Sequence, residues 1–218
     1  MEIKQTEFVT SLPEYRKFPG IGKPEIAFAG RSNVGKSSLL NSLTRRRALA
    51  KVSATPGKTR MINIFRVDGA FHLVDLPGYG YAKVTQQELE RWGKMMNGYF
   101  AQSRALRLTL HLVDIRHEPT RDDITMNRFL RDTDQPFVVV ATKLDKISRA
   151  QRQNCLRLIG RTLEVQPWQI IPYSSETGEG RKELLAVMEK ALRADNGGRE
   201  EGPDEAPQVG TEAPQTDA

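Results

Sequence analysis

Gly30-Arg31-Ser32-Asn33-Val34-Gly35-Lys36-Ser37 follows the apolar run Ile26-Ala27-Phe28-Ala29 and leads into Ser38-Leu39-Leu40-Asn41-Ser42-Leu43. The order is strand, glycine-bearing loop, helix. Glycines let the backbone curl until successive N–H groups point inward at an anion, and the helix that follows aims the positive end of its dipole at the same point. Gly30, Arg31, Ser32, Asn33, Val34, Gly35, Lys36 and Ser37 therefore read as a phosphate loop. In such a loop Lys36 neutralises the outer phosphates and Ser37 offers a hydroxyl to a magnesium ion bridging them. A merely structural turn would not require both flanks to be right.

Further along, Phe137-Val138-Val139-Val140-Ala141 is a β-branched run typical of a buried strand, and it ends at Thr142, Lys143, Leu144 and Asp145. In open α/β sheets the ligand crevice lies at the carboxyl ends of the strands, where both this segment and the phosphate loop fall. Guanine presents an N1–H and a 2-amino group side by side, so one carboxylate accepts both. Adenine offers neither and would leave the Asp145 charge unpaired. Lys143 is placed to lay its stem over the base and brace the phosphate loop. An exposed Lys-Leu-Asp at a strand end is commonplace by itself, and it gains meaning here from the phosphate loop before it.

Between these lies Phe71-His72-Leu73-Val74 followed by Asp75, Leu76, Pro77 and Gly78. Asp75, at a strand terminus, is placed to hold a water on magnesium, and the Gly78 N–H can approach a γ-phosphate because no side chain intrudes. Upstream, Thr55-Pro56-Gly57-Lys58-Thr59-Arg60 precedes the strand that begins at Met61. Thr59 would add a second hydroxyl to magnesium while a third phosphate draws the segment inward. Ser174-Ser175-Glu176 follows a last short strand and reads, alone, as a helix cap.

Together F-A-G-R-S-N-V-G-K-S-S-L-L-N, T-P-G-K-T-R, D-L-P-G-Y-G-Y-A, T-K-L-D-K and S-S-E-T-G-E-G resemble the EngB family of bacterial GTPases, also called YihA or YsxC, across about residues 8 to 193. That family lies within the TrmE-Era-EngA-EngB-Septin-like, translation-factor-type small GTPases. The resemblance implies a three-layer α/β P-loop NTPase fold with a mostly parallel six-stranded sheet and one antiparallel edge strand. It also implies binding of GTP and GDP with slow hydrolysis, a role in assembly of the large ribosomal subunit, and a need in normal cell division and septation. By resemblance, Gly30 to Ser37 bind the phosphates. Ser37 and Thr59 ligate magnesium directly and Asp75 through water. Gly57, Lys58, Thr59, Arg60, Met61, Asp75, Leu76, Pro77 and Gly78 make the switch contacts. Thr142, Lys143, Leu144, Asp145, Ser174, Ser175 and Glu176 hold the base, and Lys36, Thr59 and Gly78 act on the γ-phosphate.

Two residues depart from the broader GTPase pattern. Thr142 stands where an Asn is usual, which removes a base-edge amide or reduces it to a hydroxyl. Tyr79 stands where many GTPases carry the glutamine that orients the attacking water, so another group or a partner must complete the site. Asn33 has two readings: a ligand to a potassium ion, as in some related GTPases, or a residue that tolerates the turn of the loop. Readings from other classes are a guanine-nucleotide-sensing module with negligible intrinsic hydrolysis and an adenine-nucleotide kinase or ATPase. Asp145 disfavours the last of these.

The 218 residues suffice for one α/β domain, with no apolar stretch of membrane-spanning length and one cysteine, Cys155, which reads as core filler on a helix. A start without the apolar core of a signal peptide points to the cytoplasm, and a monomer is expected. Residues 1–24 read as an extended lead-in, 25–194 as the G domain and 195–218 as a disordered acidic tail. Net charge is +6, but the tail holds seven acids against one base, which leaves the rest at +12. Arg45, Arg46, Arg47, Lys51, Lys58 and Arg60 crowd the first switch, while Arg149, Arg152, Arg157 and Arg161 lie on a late helix. Such clusters suit an RNA-rich ribosomal partner by counterion release, although a charge run is more often a solvated face.

Strands are expected near 26–30, 61–67, 70–75, 107–113, 137–141 and 168–172, and helices near 36–44, 86–101, 120–131, 148–163 and 180–193. Asp68-Gly69 signals a tight hairpin. Thr120-x-x-Asp123 reads as a helix start with acids near the positive end, which makes Asp122 and Asp123 capping residues rather than a catalytic pair. His72, His111 and His117 lack metal-ligand spacing and are read as structural. Trp92, Met95, Met96, Tyr99 and Phe100 form a helical stripe, buried or facing a partner.

Overall fold

The computed structural model describes residues 1–13, 22–46, 49, 61–80 and 85–194, with the side chain of Leu89 left aside. Gly57, Lys58, Thr59 and Arg60, expected in the first switch, lie outside the described residues, as do Arg47, Lys51 and the segment 195–218. The strands are β1 (Thr6–Leu12), β2 (Glu25–Gly30), β3 (Ile62–Val67), β4 (Phe71–Asp75), β5 (Leu106–Asp114), β6 (Phe137–Thr142) and β7 (Ile170–Pro172). The helices are α1 (Lys36–Thr44), α2 (Gln86–Gln102), α3 (Arg121–Asp132), α4 (Arg149–Leu163) and α5 (Arg181–Arg193).

One sheet runs β1-β3-β4-β2-β5-β6-β7. β2, β4, β5, β6 and β7 are mutually parallel, while β3 is antiparallel to both β4 and β1. The expected hairpin is present: Asp68 and Gly69 take φ of 49° and 65°, the pair of positive values that a type I′ turn needs. The sheet has seven strands rather than the expected six, because Thr6–Leu12, read from sequence as lead-in, pairs with β3. Asp68 secures that pairing by accepting from the backbone N–H of Gln5 at 2.6 Å, while its own N–H donates to the Gln5 carbonyl at 2.9 Å. The second departure is at Trp168 and Gln169, expected in the last strand. With Pro167, whose fixed φ favours a turn start, they form a short 3-10 turn before β7.

Period-two alternation sorts β2 between two cores. Ile26 and Phe28 face α1 and α5, packing with Leu39, Leu40, Leu43, Leu184 and Met188. Ala27 and Ala29 face the other way, and their small side chains leave room for Met96, Tyr99 and Phe100 of α2. The aromatic stripe of α2 is thus core, with Trp92 only partly buried at its edge. A third cluster seats α4 on β6 through Val139, Ala141, Ile159 and Leu163, with Cys155 packed against it. Because five strands run parallel, their carboxyl ends lie along one edge and deliver Gly30, Asp75, Asp114 and Thr142 to the same place. Among the described residues no helix is long and apolar enough to cross a membrane.

Candidate functional site

Gly35 begins α1 with φ at 110°, a value that an L side chain rarely adopts, and no side chain caps the helix. Nor does α1 carry an acid in its first turn, so its leading N–H groups and dipole are left for an outside anion. Lys36 folds back under the loop and donates to the Gly30 carbonyl at 3.2 Å. Enclosure by the loop strips water from its ammonium and lowers its pKa, an effect opposed by the charge of Asp75. Asp75 is buried at the end of β4, and desolvation raises its pKa against the pull of Lys36 and a hydrogen bond from Asn63. Its Oδ1 has no hydrogen-bond partner among the described residues.

The segment after Asp75 rests on the loop. Ser32 donates its N–H to the Tyr79 carbonyl at 2.9 Å, and a Cβ added to Gly78 would lie 2.9 Å from Lys36 Nζ and 3.1 Å from the Ser32 nitrogen. A side chain here would make Lys36 or Ser32 give way. Tyr79 turns its ring away from the loop into the α2–α3 core, edge-on to Trp92, whose indole N–H donates to the Pro77 carbonyl at 3.1 Å. The Tyr79 hydroxyl donates to Asp123 Oδ1 at 3.0 Å, so its oxygen is left to accept from His111 Nε2 at 3.0 Å. Burial, reinforced by Asp123, raises the Tyr79 pKa well above its ordinary value. Burial also pushes His111 down to about 4, so it is a neutral donor at pH 7. Asp123 still caps α3, accepting from the Thr120 N–H at 2.9 Å with its other oxygen.

At the far end, Thr142 and Lys143 both hold the phosphate loop from behind. The Thr142 hydroxyl lies 2.7 Å from the Val34 carbonyl and 3.0 Å from that of Val113. The Lys143 ammonium donates to the Asn33 carbonyl at 2.8 Å and pairs with Asp114 at 2.9 Å. Arg116 grips Asp114 through Nε at 2.9 Å and Nη2 at 2.8 Å. Burial resists the Asp114 charge, but these bonds outweigh it and keep the carboxyl well below the usual carboxylate range. Asp145 follows in a short 3-10 turn, Leu144–Lys146, and accepts from the Ser174 hydroxyl at 2.7 Å, the chief reason its pKa is lowered. Ser174 is itself buried and receives the N–H groups of Glu176 and Thr177 at 3.3 and 3.1 Å. Ser175 is half-buried and Glu176 exposed, as Met61 is half-buried at the entry to β3.

The family model described as 50S ribosome-binding GTPase matches residues 25–143. A probable GTP-binding protein EngB of Desulfitobacterium hafniense is 49% identical over 89% of this chain and 97% of that protein. The probable GTP-binding protein EngB of Clostridium acetobutylicum is 50% identical over 85% of this chain and 93% of that one. The chain belongs to the EngB family of GTP-binding proteins. A crystal structure of a probable GTP-binding protein engB superposes with a TM-score of 0.67 at 26% identity, over 78% of this chain and 98% of the other.

An EngB protein is a GTP hydrolase with the P-loop GTPase fold. GTPases of this kind generally use magnesium, and the residues present fit it. The orphaned Oδ1 of Asp75 and the Ser37 hydroxyl, which makes no hydrogen bond among the described residues, are oxygen donors of the kind a hard cation takes. Asn33 has φ at 61°, so the left-handed turn accounts for this residue type without an ion. Asp114, Arg116 and the partners of Tyr79 are functional-site residues that the sequence pattern does not single out. Asp114 was visible as an acid closing an apolar strand, the same signal that picked out Asp75, whereas the joining of Tyr79, His111 and Asp123 depends on tertiary contacts alone.

Proposed function

We propose that this EngB chain is a slow, magnesium-dependent GTPase that works as a nucleotide switch in assembly of the large ribosomal subunit, in the cytoplasm, and is needed for normal cell division and septation. The observation that carries the guanine reading is the Asp145 carboxylate, kept ionised and oriented by Ser174 beside a phosphate loop tied down by Thr142 and Lys143. In this reading Asp145 accepts the N1–H and 2-amino group of guanine, and Lys143 covers the base. Residues Gly30 to Ser37 direct backbone N–H groups at the phosphates, with Lys36 beside the outermost. Magnesium, when bound, neutralises charge building on the phosphate oxygens, and Ser37 and Asp75, with Thr59, would hold it. Gly78 supplies an N–H to the γ-phosphate, and loss of that phosphate releases the segments around Thr59 and Gly78. The segment 195–218 is dispensable for nucleotide binding.

The ribosomal partner is supported by the strong positive charge outside that segment and by the description of the family model. The test is multiple-turnover phosphate release with and without large ribosomal subunits, beside capture of RNA by protein loaded with a non-hydrolysable GTP analogue or with GDP. Turnover stimulated by the particles and RNA capture that follows the nucleotide support the proposal. Turnover indifferent to them contradicts it. Tyr79 favours a second reading, in which the free chain senses guanine nucleotides and scarcely hydrolyses them, because its hydroxyl is committed to Asp123 and His111 and cannot orient water. A rate at background without particles distinguishes that reading.

A further inference from the structure

Among the described residues only Phe8, Leu158 and Trp168 are large hydrophobic side chains left exposed, and Leu158 lies on α4, the helix that the Pro167–Gln169 turn follows. Phe8 packs edge-on against Phe65. Trp168 is 77% exposed, with neither a ring partner nor a hydrogen bond to its indole among the described residues. Its support is nonetheless rigid. Pro167 fixes the entry to the turn, the Gln169 N–H donates to Gln166 at 2.9 Å, and Val165 donates to the Gly160 carbonyl at 3.0 Å. The missing side chain of Gly160 lets this segment close on α4, since a Cβ there would lie 3.3 Å from the Val165 oxygen and 3.4 Å from Ile170 Cδ1.

Going round α4 from Gly160 at 3.6 residues per turn, Arg157, Arg161 and Leu158 follow outward at about 60°, 100° and 160°. All three are exposed. The helix carries Arg149, Arg152, Arg157 and Arg161 and no acid. Arg152 is held by Glu179, while Arg149, Arg157 and Arg161 have no carboxylate within 4.0 Å among the described residues. Two acids border the face. Glu164 is neutralised by Arg131 at 2.9 Å, and Glu118 accepts from Thr162 at 3.3 Å.

We propose that the outer face of α4 and the Pro167–Gln169 turn form an RNA-docking surface, on which the Trp168 indole stacks with an unpaired base while Arg157 and Arg161 hold the adjoining phosphates. The proposal rests on the ribosomal reading above and gives that partner a face. A base needs only a flat π surface, whereas a protein partner would seek a wider apolar rim than Leu158 supplies. Duplex RNA hides its bases, so the target is a single-stranded loop, bulge or end. Because Trp168 precedes β7, it lies at the amino edge of the sheet, opposite the nucleotide site. The contact therefore does not involve the switch segments directly, and nucleotide dependence of RNA capture arises at the other edge of the sheet.

The test uses the full chain and a twelve-nucleotide oligouridine, read by tryptophan fluorescence and by anisotropy of labelled RNA. Quenching is expected in wild type and in Trp92→Phe, but not in Trp168→Phe. Trp168→Ala weakens RNA binding about five- to tenfold and leaves GTP titration unchanged, which also shows that the variant is folded. Arg157→Gln with Arg161→Gln lowers the slope of log affinity against log salt by about 1.4. Undiminished RNA affinity in Trp168→Ala overturns the proposal, and if that variant loses large subunits all the same, the face is a protein site. If Trp168→Ala binds both RNA and large subunits normally, the ribosomal reading stands and this face is wrong. If wild type binds neither, both fall.

Discussion

The Thr142 hydroxyl lies 2.7 Å from the carbonyl oxygen of Val34, so a side chain at the end of β6 closes a hydrogen bond onto the phosphate loop. In the proposed reading, the residue that stands where a base-edge amide is usual thus braces the loop that would receive the phosphates. Thr142→Val keeps the shape and leaves the buried Val34 carbonyl without this donor. Stability should fall by about 1–3 kcal/mol in urea unfolding, and guanine nucleotides should bind several-fold more weakly by calorimetry.

Asp114 acts through Lys143 and Arg116 and touches neither base nor phosphate in this account. Asp114→Asn removes the charge that orients Lys143, so binding of GTP and GDP should weaken by the same factor, about tenfold. A fluorescent-nucleotide titration checks this. Weakening of GTP alone would place Asp114 in γ-phosphate sensing instead.

Gly78→Ala puts a methyl group against Lys36 Nζ and the Ser32 nitrogen, and one of them must move. Hydrolysis should drop by about two orders of magnitude, as when a transition-state donor is displaced, while GDP affinity stays near wild type. Single-turnover phosphate release beside GDP titration reads both.

His111 faces Tyr79 and Asp123 and has its pKa lowered to about 4. A histidine depressed on folding takes up its proton in the unfolded chain first, near pH 6.5, so it contributes stability above that pH that is lost as pH falls towards 4. Its share of the slope reaches up to about 1.4 kcal/mol per pH unit. His72, also lowered by burial, adds a slope of the same sign, whereas Asp75, raised by burial, opposes it. Unfolding curves of His111→Gln should be flatter than wild type between pH 4 and 6.5, and equal slopes would show that His111 is not held neutral.

Local signals in the chain were enough to place most of this architecture. The phosphate loop, the Asp68-Gly69 hairpin and every helix lie close to their expected positions, because glycine turns, caps and apolar periodicity are properties of neighbouring residues. β1 was not legible, since Thr6–Leu12 is recognisable as a strand only beside β3, fifty or more residues away. Trp168 and Gln169 lie within the expected last strand, whereas Pro167 sets a turn there. Of the candidate site, Asp75, Lys143 and Asp145 stand out by their position at strand ends. The bond from Ser174 to Asp145 does not, because Ser-Ser-Glu is an ordinary cap until folding brings β7 beside β6.

Calorimetric titration of wild type and Asp145→Asn with GTP, xanthosine triphosphate and ATP in magnesium buffer reads recognition of guanine by the Asp145 carboxylate. Wild type should bind GTP and not ATP. The amide of Asp145→Asn should donate to the xanthine carbonyl, so that variant exchanges GTP for xanthosine triphosphate. Tight GTP binding retained by Asp145→Asn, or ATP binding as well as GTP in wild type, would contradict guanine recognition by Asp145.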